Sequence, residues 1–96
     1  MTPEPPKTLT ATVEIVNAKG LHARASAKFA TLAEHFDAKV TVSRDGMSVA
    51  AYSIMGLLML AAAKGCEIEI AASGRDAEAA LAGLVDLVQT RFGEAE

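Results

Sequence analysis

The sequence has few of the residues that would indicate disulfide bonding or nucleic-acid binding. Its only cysteine, Cys66, has no partner for an intramolecular disulfide. It has no tryptophan, one tyrosine and three phenylalanines, and nine Lys and Arg against twelve Asp and Glu give a formal net charge of -3. This composition lacks a basic, aromatic surface, so we expect no nucleic-acid partner. The N-terminus lacks a basic stretch followed by an apolar run, and we therefore expect a cytoplasmic protein.

Long hydrophobic runs and metal-ligand patterns are also missing. The densest apolar stretch, residues 54–63, has about half of the roughly 20 residues that a membrane helix needs, so we expect no membrane insertion. No His, Cys or acidic residue stands three or four positions after His22, which would be needed for a helical metal site. No serine lies in a Gly-x-Ser-x-Gly elbow. We expect neither a metal ion nor a cofactor.

The residues that are present suit one small domain. The chain has 96 residues and a hydrophobic share of 51%, which is enough for one modest core. All three prolines lie in residues 1–8, where no hydrophobic period is visible. The pattern predicts a disordered tail over residues 1–8 and a single domain over residues 9–96.

Hydrophobic periodicity predicts seven elements in the order βαββαβα. Strands are predicted at residues 9–16, 40–43, 47–50 and 67–70. Helices are predicted at residues 23–35, 54–64 and 77–88. Asp45-Gly46 is typical of a tight hairpin, Ser53 and Asp76 are expected N-caps, and Gly65 should end the second helix. Because one face of each strand is polar, we expect an α+β fold, an open-faced β-sandwich with a four-stranded antiparallel sheet and three helices on one face.

The two histidines, His22 and His35, stand in different settings. His22 lies in the segment Gly20–Arg24, at the start of the first helix, where unpaired backbone N–H groups can bind a phosphoryl dianion. As N-cap it would hold this group against the N–H groups of Ala23 and Arg24, and the Arg24 guanidinium would add a charge-assisted donor. His35 is expected only to complement the dipole at the helix end. From these residues alone, an ordinary exposed loop histidine at position 22 remains the alternative.

The second predicted helix is apolar nearly all round. Its expected core side carries Leu57, Leu60 and Ala61. A short helix of this kind, on a single helical layer, should leave another side exposed for partner docking. The predicted docking residues are Leu21, Ile54, Met55 and Leu58. The alternative is that neighbouring helices bury both sides.

Two segments of the chain resemble one known family. Gly20–Arg24, with the order Gly-Leu-His-Ala-Arg, resembles the active-site motif of the histidine-containing phosphocarrier protein (HPr) family of the phosphoenolpyruvate-dependent phosphotransferase system. Ser53–Leu57, followed by Lys64-Gly65, resembles the regulatory-serine segment of that family. The predicted element order is also the family's. One departure is Ala25, because the family motif normally continues with proline after the arginine.

The resemblance implies a phosphoryl carrier and not an enzyme that turns over a free substrate. His22 would be phosphorylated on Nδ1 by enzyme I, with Arg24 helping to hold and release the group, which downstream phosphoacceptor proteins would take for sugar uptake or regulation. Ser53 matches a serine that an HPr serine kinase/phosphorylase modifies in part of the family. We expect a monomer. The alternative functions are a small-molecule-binding or protein-interaction regulatory domain without phosphotransfer.

Overall fold

The computed structural model describes residues 7–96, in which helices cover one face of a four-stranded antiparallel sheet. The strands are β1 (Thr8–Glu14), β2 (Lys39–Arg44), β3 (Met47–Ala50) and β4 (Glu67–Ser73). The helices are α1 (Ala23–Glu34), α2 (Ile54–Met59) and α3 (Ala77–Gln89), and a 3-10 turn, Arg91–Gly93, follows α3. The strand order is β1-β4-β2-β3, and every neighbouring pair is antiparallel. The predicted α+β open-faced sandwich is confirmed.

Alternation along the strands produces one apolar and one polar face. The buried strand residues are Val13, Val40, Val42, Ile68, Ile70 and Ala72. The helices cover this face with Ala25, Phe29, Ala33, Leu57, Ala80, Leu84 and Val88, all of which are buried. The opposite face of the sheet carries exposed polar residues such as Glu14, Glu67 and Glu69. Removal of the apolar face from water is the main force that holds the helices on the sheet.

The hairpin between β2 and β3 follows the predicted turn. Arg44 pairs with Met47, so the connecting loop is Asp45-Gly46. Both loop residues have positive φ, 49° and 82°, as in the type I′ turn that suits the twist of two strands. Among residues 7–96, no helix is long and apolar enough to cross a membrane.

Several predicted boundaries are wrong, including those at Thr8 and at the end of α2. Thr8, assigned to the tail, is the first residue of β1, whereas residues 1–6 of that tail lie outside the described residues. Helix α2 ends at Met59 and not before Gly65, because Ala61 takes a left-handed conformation with φ 51° and reverses the chain. As a result Ala61 is exposed, although it was predicted for the core, and Ala62 is buried in its place.

Helix α3 begins where predicted, but its cap differs. Asp76 stands at the N-cap position and makes no side-chain capping bond. Its carboxylate instead accepts a hydrogen bond from the backbone N–H of Asp37, at 2.8 Å, and so ties the start of α3 to the loop before β2. The predicted capping role of the Asp76 side chain is therefore wrong, although the helix itself is present.

Candidate functional site

His22 is the N-cap of α1, as the sequence predicts. Its backbone is extended, with φ -76° and ψ -178°, and its carbonyl accepts the first bond of the helix from Ser26 N–H at 2.8 Å. Its ring Nδ1 accepts a hydrogen bond from Arg24 N–H at 3.3 Å. The side chain is 27% exposed. Nδ1 therefore faces the positive end of the helix dipole. Because the side chain is partly exposed, a partner protein could reach a phosphoryl group bound to this nitrogen.

The loop before His22 is held by close backbone contacts. Leu21 N–H donates to the Ala62 carbonyl at 2.9 Å, and the Ser26 hydroxyl donates to the Leu21 carbonyl at 3.2 Å. Gly20 has φ 65°, and a Cβ at this position would lie 2.6 Å from the Ala62 oxygen. The left-handed backbone favours glycine at position 20, and this close approach requires it.

Leu21 does not lie on the exposed surface. Its side chain is only 5% exposed and belongs to the hydrophobic core. The expected docking role of Leu21 is therefore wrong, because the contacts that fix the loop also direct this side chain inward. The Leu21 side chain therefore offers no surface to a partner.

A cavity of about 250 Å³ adjoins His22. Its lining includes Ala18, Lys19 and Arg24 from the N-terminal part of the chain and Glu94, Ala95 and Glu96 from the C-terminal end. Arg24 is exposed and forms no ion pair with any other residue of the described range, 7–96. The lining thus carries two positive charges, on Lys19 and Arg24, and two negative ones, on Glu94 and Glu96. Of these side chains, the Arg24 guanidinium is the donor that suits a phosphoryl group.

Two residues of the site, Asn17 and Glu94, were missed by sequence reasoning. His22 Nε2 lies 2.6 Å from Glu94 Oε2, and the fully buried Asn17 donates its Nδ2 to Glu94 Oε1 at 2.9 Å. The hydrogen bond with His22, followed by that from Asn17, lowers the pKa of the Glu94 carboxyl below its ordinary value of 4.5, although burial opposes this shift. Sequence reasoning missed Asn17 because it looks like an ordinary turn residue. It missed Glu94 because 72 positions separate Glu94 from His22.

His35 lies at the end of α1, where the sequence predicts it. It is the C-cap residue of α1, and its Nδ1 lies 2.8 Å from the Thr31 carbonyl oxygen. Because a carbonyl only accepts hydrogen bonds, this nitrogen must carry a proton and has no free lone pair for phosphorus. His22, whose Nδ1 accepts, differs from His35 in this respect.

The start of α2 confirms the Ser53 cap. Ser53 Oγ accepts a hydrogen bond from Gly56 N–H at 2.9 Å. Ile54 and Met55, which follow directly, are 42% and 71% exposed, whereas Leu58 is half-buried. Met59, at 65% exposure, was missed, although its spacing of four residues from Met55 places it on the same side of the helix. The alternative that both sides of α2 are buried is wrong.

Comparison with known proteins extends the similarity over nearly the whole chain. A family model described as "PTS HPr component phosphorylation site" matches residues 9–90. The phosphocarrier protein HPr of Neisseria meningitidis is 48% identical over 92% of this chain and 99% of its own length. The phosphocarrier protein NPr of Escherichia coli is 43% identical over 91% of this chain and 98% of its own. The crystal structure of HPr-C-His from Thermoanaerobacter tengcongensis superimposes on this chain with a TM-score of 0.88 at 40% identity. The superposition covers 92% of this chain and 99% of the HPr-C-His chain. The family match includes His22, Arg24 and Ser53, whereas Glu94 lies beyond it.

Proposed function

This chain belongs to the HPr family of phosphocarrier proteins of the phosphotransferase system, and from this premise we propose that His22 accepts a phosphoryl group from phosphorylated enzyme I. Proteins of this family carry a phosphoryl group and are not enzymes in the usual sense. We propose further that downstream phosphoacceptor proteins take the group from His22, for sugar uptake or for regulation. The observation that supports this role most directly is the position of Nδ1 at the start of α1.

Transfer to His22 needs a nucleophile and a site for negative charge. The Nδ1 lone pair exchanges its hydrogen bond from Arg24 N–H for a bond to phosphorus, the bond between phosphorus and the donor breaks, and its electron pair returns to the donor. The phosphoryl oxygens then lie near the backbone N–H groups at the helix start, including those of Ala23 and Arg24, with the Arg24 guanidinium beside them. Because the site is partly exposed and not a closed pocket, donor and acceptor proteins can reach it in turn.

Labelling with phosphoenolpyruvate and enzyme I tests this proposal. The wild-type chain should gain one acid-labile phosphate, His22→Ala should gain none, and the matched control His35→Ala should behave as the wild type. Mass spectrometry locates the phosphate. An unlabelled wild type would favour one of the alternatives, a small-molecule-binding or protein-interaction domain, and a label on His35 would contradict the assignment of the acceptor.

We propose that the exposed apolar residues of α2 contribute to partner docking. Ile54 and Met55 are among the few large apolar side chains that the described part of the chain leaves exposed. Met55→Glu should slow phosphate transfer from enzyme I and leave chemical phosphorylation of His22 by phosphoramidate unchanged. Equal enzyme I rates for Met55→Glu and the wild type would remove Met55 from the docking surface.

We propose that phosphorylation of Ser53, by a serine kinase where the host has one, weakens this docking. The modification adds about -1.5 to -2 charges directly before Ile54 and Met55 and leaves the core untouched. Ser53→Asp should slow transfer from enzyme I with an unchanged circular dichroism spectrum, whereas the neutral variant Ser53→Ala should transfer at nearly the wild-type rate. An unchanged rate in Ser53→Asp would argue against regulation.

The proposed setting is a monomer in the cytoplasm. The family role needs one exposed site, which donor and acceptor occupy in turn, and a self-associated chain would compete for that surface. Light scattering of the purified chain should give the mass of one chain, and a dimer mass would contradict this part of the proposal.

A further inference from the structure

We propose that Glu94 is a positioning residue, whose carboxylate selects the His22 tautomer that leaves Nδ1 free to accept phosphorus. This inference rests on the proposed function and assigns a role to a residue beyond the family match. Its basis is a chain of three side chains, in which the buried Asn17 holds Glu94 and Glu94 holds His22.

The hydrogen bonds of the His22 ring determine where its proton lies. Nδ1 faces the N–H group of Arg24, which can only donate, so this nitrogen must accept. Nε2 faces Glu94 Oε2 at 2.6 Å, and a carboxylate can only accept, so this nitrogen must donate. The two contacts agree on a ring with its proton on Nε2 and its lone pair on Nδ1.

Asn17 fixes the position of the carboxylate. Its Nδ2 donates both to the Gly20 carbonyl, at 2.8 Å, and to Glu94 Oε1, at 2.9 Å. A flipped amide would place Oδ1 against these two acceptors, so only one orientation of Asn17 is compatible with both contacts. In that orientation Oδ1 has no hydrogen-bond partner among residues 7–96, although Asn17 is fully buried. The two Nδ2 contacts therefore hold the amide of Asn17 in the orientation that donates to Glu94.

The backbone before Glu94 is strained in a way that directs it to His22. Arg91 and Phe92 have left-handed φ angles of 59° and 54°, which are unfavourable for residues with a Cβ, and Gly93 follows at 78°. Phe92 is buried, and its carbonyl accepts a hydrogen bond from Lys28 Nζ at 2.7 Å. These anchors turn the chain back toward α1 and place Glu94 beside His22.

The carboxylate also matches the charge that develops during transfer. When the neutral ring attacks phosphorus through Nδ1, the new nitrogen–phosphorus bond gives the ring a positive charge, and the proton on Nε2 remains in place. Glu94 lies against that proton and stabilises the positive ring, as a buried carboxylate does for a histidine that acts in acyl transfer.

Replacement of Glu94 by glutamine or alanine separates this role from simple packing. In Glu94→Gln the amide oxygen can still accept from Asn17, and the amide NH2 is then directed at Nε2, which favours the opposite tautomer. Glu94→Ala removes the carboxylate without a competing donor. We expect transfer from enzyme I to slow by roughly tenfold or more in Glu94→Gln and by less in Glu94→Ala. If Glu94 acted only by packing, Glu94→Ala would slow transfer more than Glu94→Gln, because glutamine keeps nearly the size and shape of the glutamate side chain.

Nitrogen NMR of the His22 ring gives a readout that does not depend on phosphotransfer. At about pH 8.5, where a histidine ring is normally neutral, the wild type should carry its proton on Nε2 and Glu94→Gln should shift toward a proton on Nδ1. Glu34→Gln, which makes the same charge change at an exposed residue away from the site, should match the wild type in both measurements.

The two proposals fail in different ways. A wild type that takes up no phosphate from enzyme I overturns the proposed function. A wild type that is labelled normally, combined with a Glu94→Gln variant that transfers as fast as Glu94→Ala or faster, overturns the positioning role alone. A wild-type proton on Nδ1 also overturns the positioning role.

Discussion

Substitution of Gly20 by alanine tests how the loop that carries His22 is built. Gly20 has φ 65°, and an added Cβ would lie 2.6 Å from the Ala62 oxygen and 2.9 Å from Ala63 Cα. Both contacts are with backbone, which cannot move aside as a flexible side chain does. Gly46 is a matched control, because its φ is 82° and a Cβ there would meet nothing within 4 Å.

The expected losses of stability follow from these two settings. A left-handed conformation costs a residue with a Cβ about 1–2 kcal/mol, and this cost applies to both variants. Overpacking against fixed atoms adds about 1–3 kcal/mol, and this cost applies only to Gly20→Ala. We therefore expect the free energy of unfolding to fall by about 1–2 kcal/mol in Gly46→Ala and by about 2–5 kcal/mol in Gly20→Ala.

Urea denaturation of the wild type and both variants measures the difference directly. If Gly20→Ala relieves its clash by moving the loop, phosphate transfer to His22 should slow as well, whereas Gly46→Ala should transfer normally. Equal losses of stability in the two variants would show that the chain after α2 does not approach Gly20 as closely as the structure has it.

Three further predictions concern residues around the site. Because hydrogen bonds with His22 and Asn17 lower the pKa of Glu94, its contribution to stability is present above the ordinary value of 4.5 and is lost as pH falls through the lowered pKa. Urea melts of the wild type should thus lose more stability than those of Glu94→Gln as pH falls below the ordinary value of 4.5, and parallel losses would refute the hydrogen bond between Glu94 and His22. Ser53→Ala should lower the free energy of unfolding by about 1 kcal/mol through loss of the cap on α2, whereas no change would indicate that α2 does not need it. Phe92→Ala should cost about 3–5 kcal/mol and also slow transfer to His22, and a normal rate in the folded variant would show that Glu94 is not held through Phe92.

Local patterns predict most of the fold because each element is amphipathic on its own. Alternation in β1 and β4, the Asp45-Gly46 turn and the N-cap position of His22 all depend on neighbours within a few residues, and the structure has them where predicted. The end of α2 could not be predicted in this way, because neither glycine nor proline stands at the left-handed position 61 to indicate that the helix stops there. Its conformation depends on Ala62 packing against the loop before His22, which is a tertiary contact.

Part of the candidate site also depends on tertiary contacts and not on local sequence. His22 and Arg24 share one helix start and are visible as a motif. Glu94 reaches His22 only because Phe92 anchors the turn after α3, and no local pattern specifies which ring a distant carboxylate will contact. Leu21 was placed on the surface for a similar reason, because its burial depends on the core beneath the loop and not on its position beside an exposed histidine.

Phosphorus–nitrogen correlation NMR on the wild-type chain, labelled with 15N in its histidines and incubated with phosphoenolpyruvate and enzyme I, tests the central claim most directly. The predicted result is a single phosphorus coupled to Nδ1 of His22, with the proton of that ring on Nε2 beside Glu94. Phosphorus on Nε2 of His22, or on either nitrogen of His35, would contradict the account.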